Sequence, residues 1–191
     1  AKPLIEKFKL KKNPVSSKLD LFENEQIKLI VSGIGKIRSA IATTLLSSQN
    51  KPASDSLVVN LGCCGSVRNS YEIGALLFIN KIKDNASGHE MFPDSILKHG
   101  LNEASLETFD IPVVKAKFHE LDSDLVDMEA SGFFQAASMF VDTHQIYCFK
   151  IVSDFLELSH MSKEFISGLV QNNMDAIEQI FSLFSKFHES E

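Results

Sequence analysis

Four short apolar runs constrain this chain more than any other feature. Ile27–Val31, Leu57–Leu61, Ala75–Ile82 and Ile146–Val152 are largely apolar along their length rather than alternating. None approaches the roughly 20 residues of a membrane span. Strands of this kind are buried on both faces, which requires helices above and below a sheet. The stretches between them supply those helices. Ile37, Ala40, Ile41, Thr44 and Leu45 recur at helical spacing after the turn Gly33-Ile34-Gly35. Strand, glycine turn, helix and strand from Ile27 to Leu61 read as a right-handed βαβ unit.

A second helix is expected from Met128 to Phe140, with Phe133, Phe134, Ala137 and Phe140 on its apolar side. A last helix, Lys163 to His188, carries Phe165, Leu169, Ile177, Ile180, Phe181 and Phe184 on a broad apolar face. Ser162 suits its N-cap. The Phe-rich face is either core or dimer contact. Leu4, Ile5 and Phe8 mark an opening helix. Lys83 to Phe109 has weak periodicity and many polar residues, and reads as a surface excursion with one short helix around Ser95–His99. The sum is one α/β domain over residues 1–191, a three-layer α/β/α sandwich on a central mixed sheet.

Charge and cysteine narrow the partners. A net charge of −6 excludes nucleic acid and acidic membranes, which are held chiefly by basic patches. Cys63, Cys64 and Cys148 form no spaced pairs, so a reducing cytoplasm is expected, with Cys63 and Cys64 as small residues of a crowded Gly-Cys-Cys-Gly turn. Asp122, Asp124, Asp127 and Glu129 lack the glycine and spacing of a calcium loop, and the histidines lack paired spacing, so neither metal nor cofactor is expected. His160, six residues after Asp154, is the one histidine near a candidate site. Ala1-Lys2-Pro3 is not a natural translational start, which leaves room for a removed or missing segment upstream.

In open α/β sheets ligands bind beyond the carboxyl ends of the strands. Four segments fall there: Ser32-Gly33-Ile34-Gly35-Lys36, Gly62-Cys63-Cys64-Gly65-Ser66, Asp127-Met128-Glu129 and Ser153-Asp154. The glycines permit either a tight turn or backbone donors close to a ligand. Asp154 is either a turn aspartate or a site carboxylate. Glu129 is explained equally by a helix N-terminus.

Together, in this order, the four segments resemble the nucleoside phosphorylase/nucleosidase superfamily, and most nearly the methylthioadenosine/S-adenosylhomocysteine nucleosidases. Val31 to Lys36 is similar to their SGIGK segment, Val59 to Ser66 to an N-x-G-x-x-G strand end, Val126 to Ala130 to a ribose-binding Met-Glu segment, and Ile151 to Asp154 to a strand end bearing the catalytic aspartate. The resemblance implies a nucleosidase cleaving the N-glycosidic bond of a purine nucleoside such as methylthioadenosine or S-adenosylhomocysteine. Asp154 would protonate N7 of the base, helped by Ser153. Glu129 would hold the ribose hydroxyls with Met128 packed on the sugar, and Ser32 and Gly33 would line the nucleophile's side. Leu106 to Asp110 matches a shortened base-binding segment in which Phe109 would stack.

Further expectations come with the resemblance. Phosphorylases of the superfamily carry arginine where this chain has Asn60, which favours water over phosphate, although Arg38 offers a compensating cation. The first strand and its water-activating glutamate would precede Ala1, and Glu6 is not at the matching position. Lys150 stands where members often carry arginine. A homodimer is implied, with a phosphorylase or an inactive nucleoside-binding module as alternatives.

Overall fold

The computed structural model describes residues 1–14, 18–49, 56–67, 71–94, 98–114, 121–157 and 162–188. Three short strands, β1 (Lys11–Lys12), β2 (Leu21–Glu23) and β3 (Lys28–Ile30), form an antiparallel sheet of their own. Six more make the main sheet: β4 (Val58–Ser66), β5 (Leu76–Asp84), β6 (Glu90–Met91), β7 (Glu103–Thr108), β8 (Leu125–Asp127) and β9 (Ile146–Asp154). Their order is β6-β5-β7-β8-β4-β9, with β5 also pairing β9 through Leu76–Phe78. That extra pairing brings β5, β7, β8, β4 and β9 into a closed circuit. The sheet is mixed, as expected: β4/β9, β5/β7 and β7/β8 are parallel, and β4/β8, β5/β6 and β5/β9 antiparallel.

Helices cover both faces. Helix α3 (Ala130–Ala137) lays Phe133, Phe134 and Ala137 on Leu77, Ile79, Leu106 and Cys148, and α2 (Lys36–Gln49) packs on α3. On the other face α4 (Lys163–Asn172) and α5 (Met174–His188) bury Leu169, Ile177, Ile180 and Phe184 against Phe78, Tyr147 and Phe149. Burying each such side chain contributes roughly 1.5–3 kcal/mol. Helix α1 (Lys2–Lys7) joins this face through Leu4 and Phe8, with Lys7 Nζ 2.9 Å from Glu178 of α5. The α/β architecture with a mixed central sheet is therefore the observed one.

Several local expectations are corrected. Strand β3 pairs with β2 and not with β4, so Ile27 to Leu61 is not a βαβ unit of one sheet. The Lys83–Phe109 stretch contains β7, a strand of the main sheet rather than a surface excursion. Its polar residues misled because they are buried in pairs. Glu107 is 2% exposed, and it accepts from Asn85 Nδ2 at 3.0 Å and faces Lys83 Nζ at 3.2 Å. Most of the expected short helix, Ser95–Leu97, lies outside the described residues, as does His160. Helix α3 is shorter than Met128–Phe140 because Asp127 and Glu129 hold its start and Phe140 lies beyond its last turn.

The last helix is two helices. Asn173 separates them and donates its side-chain amide to the carbonyls of Leu169 and Gly74, both at 2.9 Å. Ser162 does cap α4, accepting from Phe165 N at 3.0 Å. Most of the Phe-rich face is core, although Phe165 remains 41% exposed. Exposed apolar surface gathers instead along α2 and its lead-in, at Ile34, Ile37, Ile41 and Leu45, which are 74%, 76%, 51% and 39% exposed.

The contact between α2 and α3 is the tightest approach of two helices to a glycine. A Cβ on Gly132 would stand 2.3 Å from the carbonyl oxygen of Lys36, far inside van der Waals contact. Gly132→Ala should therefore destabilise the fold by about 1–3 kcal/mol in urea unfolding. Gly168→Ala, at a helical position with no neighbour within 4 Å, should stabilise it by roughly 0.5–1 kcal/mol.

Candidate active site

A lysine inside an otherwise apolar strand demands a partner, since an unpaired buried ammonium is costly. Lys150, at the middle of β9, is fully buried and its Nζ lies 2.8 Å from Asp127 Oδ2 at the end of β8. Burial alone would push the ammonium pKa down. The Asp127 carboxylate outweighs it and holds the group above its ordinary value. Asp127 is itself saturated: Thr108 Oγ1 donates to Oδ1 at 2.7 Å and Ala130 N to Oδ2 at 2.8 Å. The pair thus ties β9 to β8, to β7 and to the first residue of α3. It also explains Gly62, where a Cβ would stand 3.1 Å from Lys150 Nζ.

Glu129 follows Asp127 by two residues and occupies the N-cap position of α3, half-buried. Its Oε1 accepts from Gly35 N at 2.9 Å, joining α3 to the glycine turn ahead of α2. Gly33 and Gly35 have φ of 79° and 110°, the left-handed region that side chains avoid, which is why this turn is built from glycine. Lys36, the next residue, is held by Asp84 Oδ2 at 2.8 Å and Asp110 Oδ1 at 3.0 Å. Burial pushes the Asp84 carboxyl up, but the Lys36 ammonium and donors from Ser87 and Ser131 outweigh it and hold it well below the usual range.

Asp154 ends β9. Its Oδ2 accepts from Ser153 Oγ at 2.8 Å and its Oδ1 from Leu156 N at 2.8 Å. The Ser153 hydroxyl is also 3.0 Å from the carbonyl of Cys64, so its single proton has two acceptors. Leu156 sits at φ 60°, unusual for a branched residue, and is 3% exposed. Gly65 leaves room for this loop: a Cβ there would meet Leu156 Cδ2 at 2.6 Å and Asp154 Oδ1 at 3.2 Å. Residues 62–65 therefore lie within β4 and are not the expected turn. Their glycines serve close approach by Lys150 and Asp154.

Strand β4 brings the two carboxylate-bearing segments together: Gly65 pairs with Asp154 of β9 on one side and with Val126 of β8, three residues before Glu129, on the other. Cys63, two residues earlier on β4, is half-buried. Burial pushes its thiol up, that of Cys64 well up, and that of Cys148 to about 12. Neutral thiols of this kind are poor nucleophiles.

The remaining expected residues are placed as follows. Ser32 Oγ donates to the carbonyl of Gly33 at 3.0 Å, within the turn. Met128 is half-buried between Asp127 and Glu129. Arg38 folds back over the turn, its Nη1 3.0 Å from the position of a Gly33 Cβ. Phe109 is 9% exposed and packs with Val67, Leu121, Val126 and Leu156, a wall beside Asp154 rather than an open ring face. Glu6 is exposed on α1, 3.8 Å from Lys2. Asp124 accepts from the Ser105 amide at 3.0 Å and its hydroxyl at 2.7 Å. Among the described residues no helix is long and apolar enough to cross a membrane, and no group of three metal-ligating side chains gathers.

No family model matches the sequence. A stretch of 62 residues, 32% of this chain, is 32% identical to 5'-methylthioadenosine/S-adenosylhomocysteine nucleosidase of Lysinibacillus sphaericus, and it spans 26% of that relative's length. The match therefore reaches about a quarter of the curated relative. Structural likeness extends much further. The Arabidopsis thaliana 5'-methylthioadenosine nucleosidase superposes with a TM-score of 0.75 at 16% identity, covering 97% of this chain and 89% of that one. Futalosine hydrolase of Helicobacter pylori superposes with a TM-score of 0.71 at 16% identity, covering 94% and 91%. This is the nucleoside phosphorylase/nucleosidase fold.

Within the nucleosidase fold, sequence reasoning missed Asp84 and named Lys36, Asp127 and Lys150 without the partners that the structure gives them. One of them left a signal. Lys150 is the single charge inside the apolar run Ile146–Val152, which announces a buried partner without naming it. Lys150→Met leaves Asp127 charged and unpaired in the interior, and should cost about 3–5 kcal/mol in urea unfolding. Adding Asp127→Asn to that variant should recover part of the loss, because the uncompensated charge is gone.

Proposed function

We propose that this chain is a nucleosidase: an N-ribosyl hydrolase acting on a purine nucleoside such as methylthioadenosine or S-adenosylhomocysteine. The observation that supports the reading is the register of β4, whose Gly65 pairs with Asp154, hydrogen-bonded to Ser153, on one side and with Val126, three residues before the Glu129 that binds the glycine turn, on the other, in a fold shared with nucleosidases.

Cleavage breaks the bond from C1' to the base nitrogen, leaving the electron pair on the base and positive charge on the sugar. Water adds to C1' and passes its proton to solvent. Asp154 supplies a proton to N7 and is reset by solvent, while the Ser153 hydroxyl holds the acid in place. Glu129 accepts from the ribose hydroxyls through the oxygen not engaged by Gly35, and Met128 packs on the sugar. Ser32 and Gly33 line the nucleophile's approach. Negative charge near the sugar also stabilises the developing cation.

Phosphorolysis is the second reading, favoured by Arg38, whose guanidinium lies over Gly33 on the nucleophile's side. A third outcome is a module that binds nucleosides without turning them over. Release of free base from purine nucleosides, with and without phosphate, separates the three. Rates independent of phosphate support hydrolysis. Rates that need phosphate and are lost in Arg38→Ala support phosphorolysis. Binding without release supports the inactive module.

Asp154→Asn should cut base release by about 10²–10⁴-fold while leaving nucleoside affinity within about twofold of wild type, checked by chromatography and titration. Glu129→Gln should weaken ribosides while leaving free bases unchanged.

The same reading includes a homodimer in a reducing cytoplasm, which suits three free thiols. Its interface is the exposed stripe Ile34, Ile37, Ile41 and Leu45, because the Phe-rich C-terminal face is engaged in the core. Replacing Ile37 and Ile41 together with Glu should shift the protein to monomer in size-exclusion chromatography with light scattering. An unchanged dimer mass moves the interface elsewhere.

A further inference from the structure

Lys36 does not touch Glu129, yet it is anchored on both sides of the contact that Glu129 makes. It begins α2 directly after Gly35, whose N–H donates to Glu129 Oε1 at 2.9 Å. Its own Nζ lies 2.8 Å from Asp84 Oδ2, and its carbonyl oxygen presses on Gly132 of α3. Asp84 ends β5 and is 5% exposed. Its Oδ2 accepts from Ser131 Oγ at 2.8 Å as well as from Lys36. Its Oδ1 accepts from Ser87 N and Ser87 Oγ, both at 2.9 Å, so the carboxylate is fixed to the sheet.

One carboxylate thus holds the residue after Gly35 and the residue two after Glu129. Both partners of the Glu129–Gly35 hydrogen bond are referenced to a single point at the end of β5. Ser131 N is further held by Thr108 Oγ1 at 3.1 Å, which removes the remaining freedom at the start of α3. A surface ion pair placed only for stability would not need to span both neighbours of a site contact.

We infer that Lys36 and Asp84 are positioning residues for Glu129, holding its Oε2 toward the ribose hydroxyls of the nucleoside through Gly35 and Ser131. The inference rests on the nucleosidase reading of Glu129. Around metal ligands, the groups that orient the ligating side chains change affinity by about 10–100-fold when removed, and that sets the scale expected here. The effect should fall on ligands that carry a ribose and spare the base alone.

The test is titration calorimetry with a purine C-riboside, whose carbon–carbon glycosidic bond resists cleavage, and with its free base. Lys36→Met and Asp84→Asn should each weaken the riboside about tenfold or more and the base less than about twofold. Lys36→Arg should restore part of the preference. If Lys36→Met does not fold, Asp84→Asn carries the test, since the amide keeps an acceptor for Ser131. Equal weakening of both ligands, or none, in a folded variant overturns the inference while leaving the nucleosidase reading intact. A wild-type chain that binds neither ligand, or does not prefer the riboside, overturns that reading and this inference with it.

Discussion

The buried pair of Lys150 and Asp127 is the constraint on which the rest of the molecule depends. A charge at the centre of a strand with helices on both faces has no access to water, so the sheet must bring its counter-charge to it. Asp127 comes from the end of β8, and the pairing sets how β8, β9 and the start of α3 lie together. Asp154 lies four residues beyond Lys150 on its strand, and Glu129 two residues beyond Asp127. One buried interaction therefore locates both candidate carboxylates. Replacing such a pair by apolar residues can leave stability unchanged, so its value here is as much in placement as in energy.

A second polar set, Lys36, Asp84, Ser131 and Thr108, continues from the first through Asp127. It joins the ends of β5, β7 and β8 to the starts of α2 and α3. Each member is buried or nearly so and each acceptor is occupied, as a low-dielectric network requires. The glycines follow the same logic. Gly62, Gly65 and Gly132 have ordinary backbone conformations, and their side chains are missing because Lys150, Leu156 with Asp154, and Lys36 occupy the space.

Much of the site was legible in the order of residues. Ser32-Gly33, Asp127-Met128-Glu129 and Ser153-Asp154 stand at strand ends because polar residues following an apolar run have nowhere else to go. The helices were legible where apolar spacing was regular, as in α2 and α5, and the break at Asn173 was not. A side-chain amide that binds Gly74 across the fold leaves no periodic trace. Strand β7 was missed for a related reason: Glu107 and Thr108 look solvated in sequence and are buried because Lys83, Asn85 and Asp127 answer them.

By itself the sequence determined the class of fold, the positions of most strands and helices, and the carboxylates available for chemistry. These follow from local periodicity and from the cost of burying polar groups, both of which act over a few residues. Tertiary structure alone decided which strands pair, that β3 belongs to a separate sheet, that Lys150 meets Asp127, and that Glu129 meets Gly35. Those outcomes join residues far apart in the chain. They depend on the shape into which the apolar faces close, and no local pattern encodes that shape.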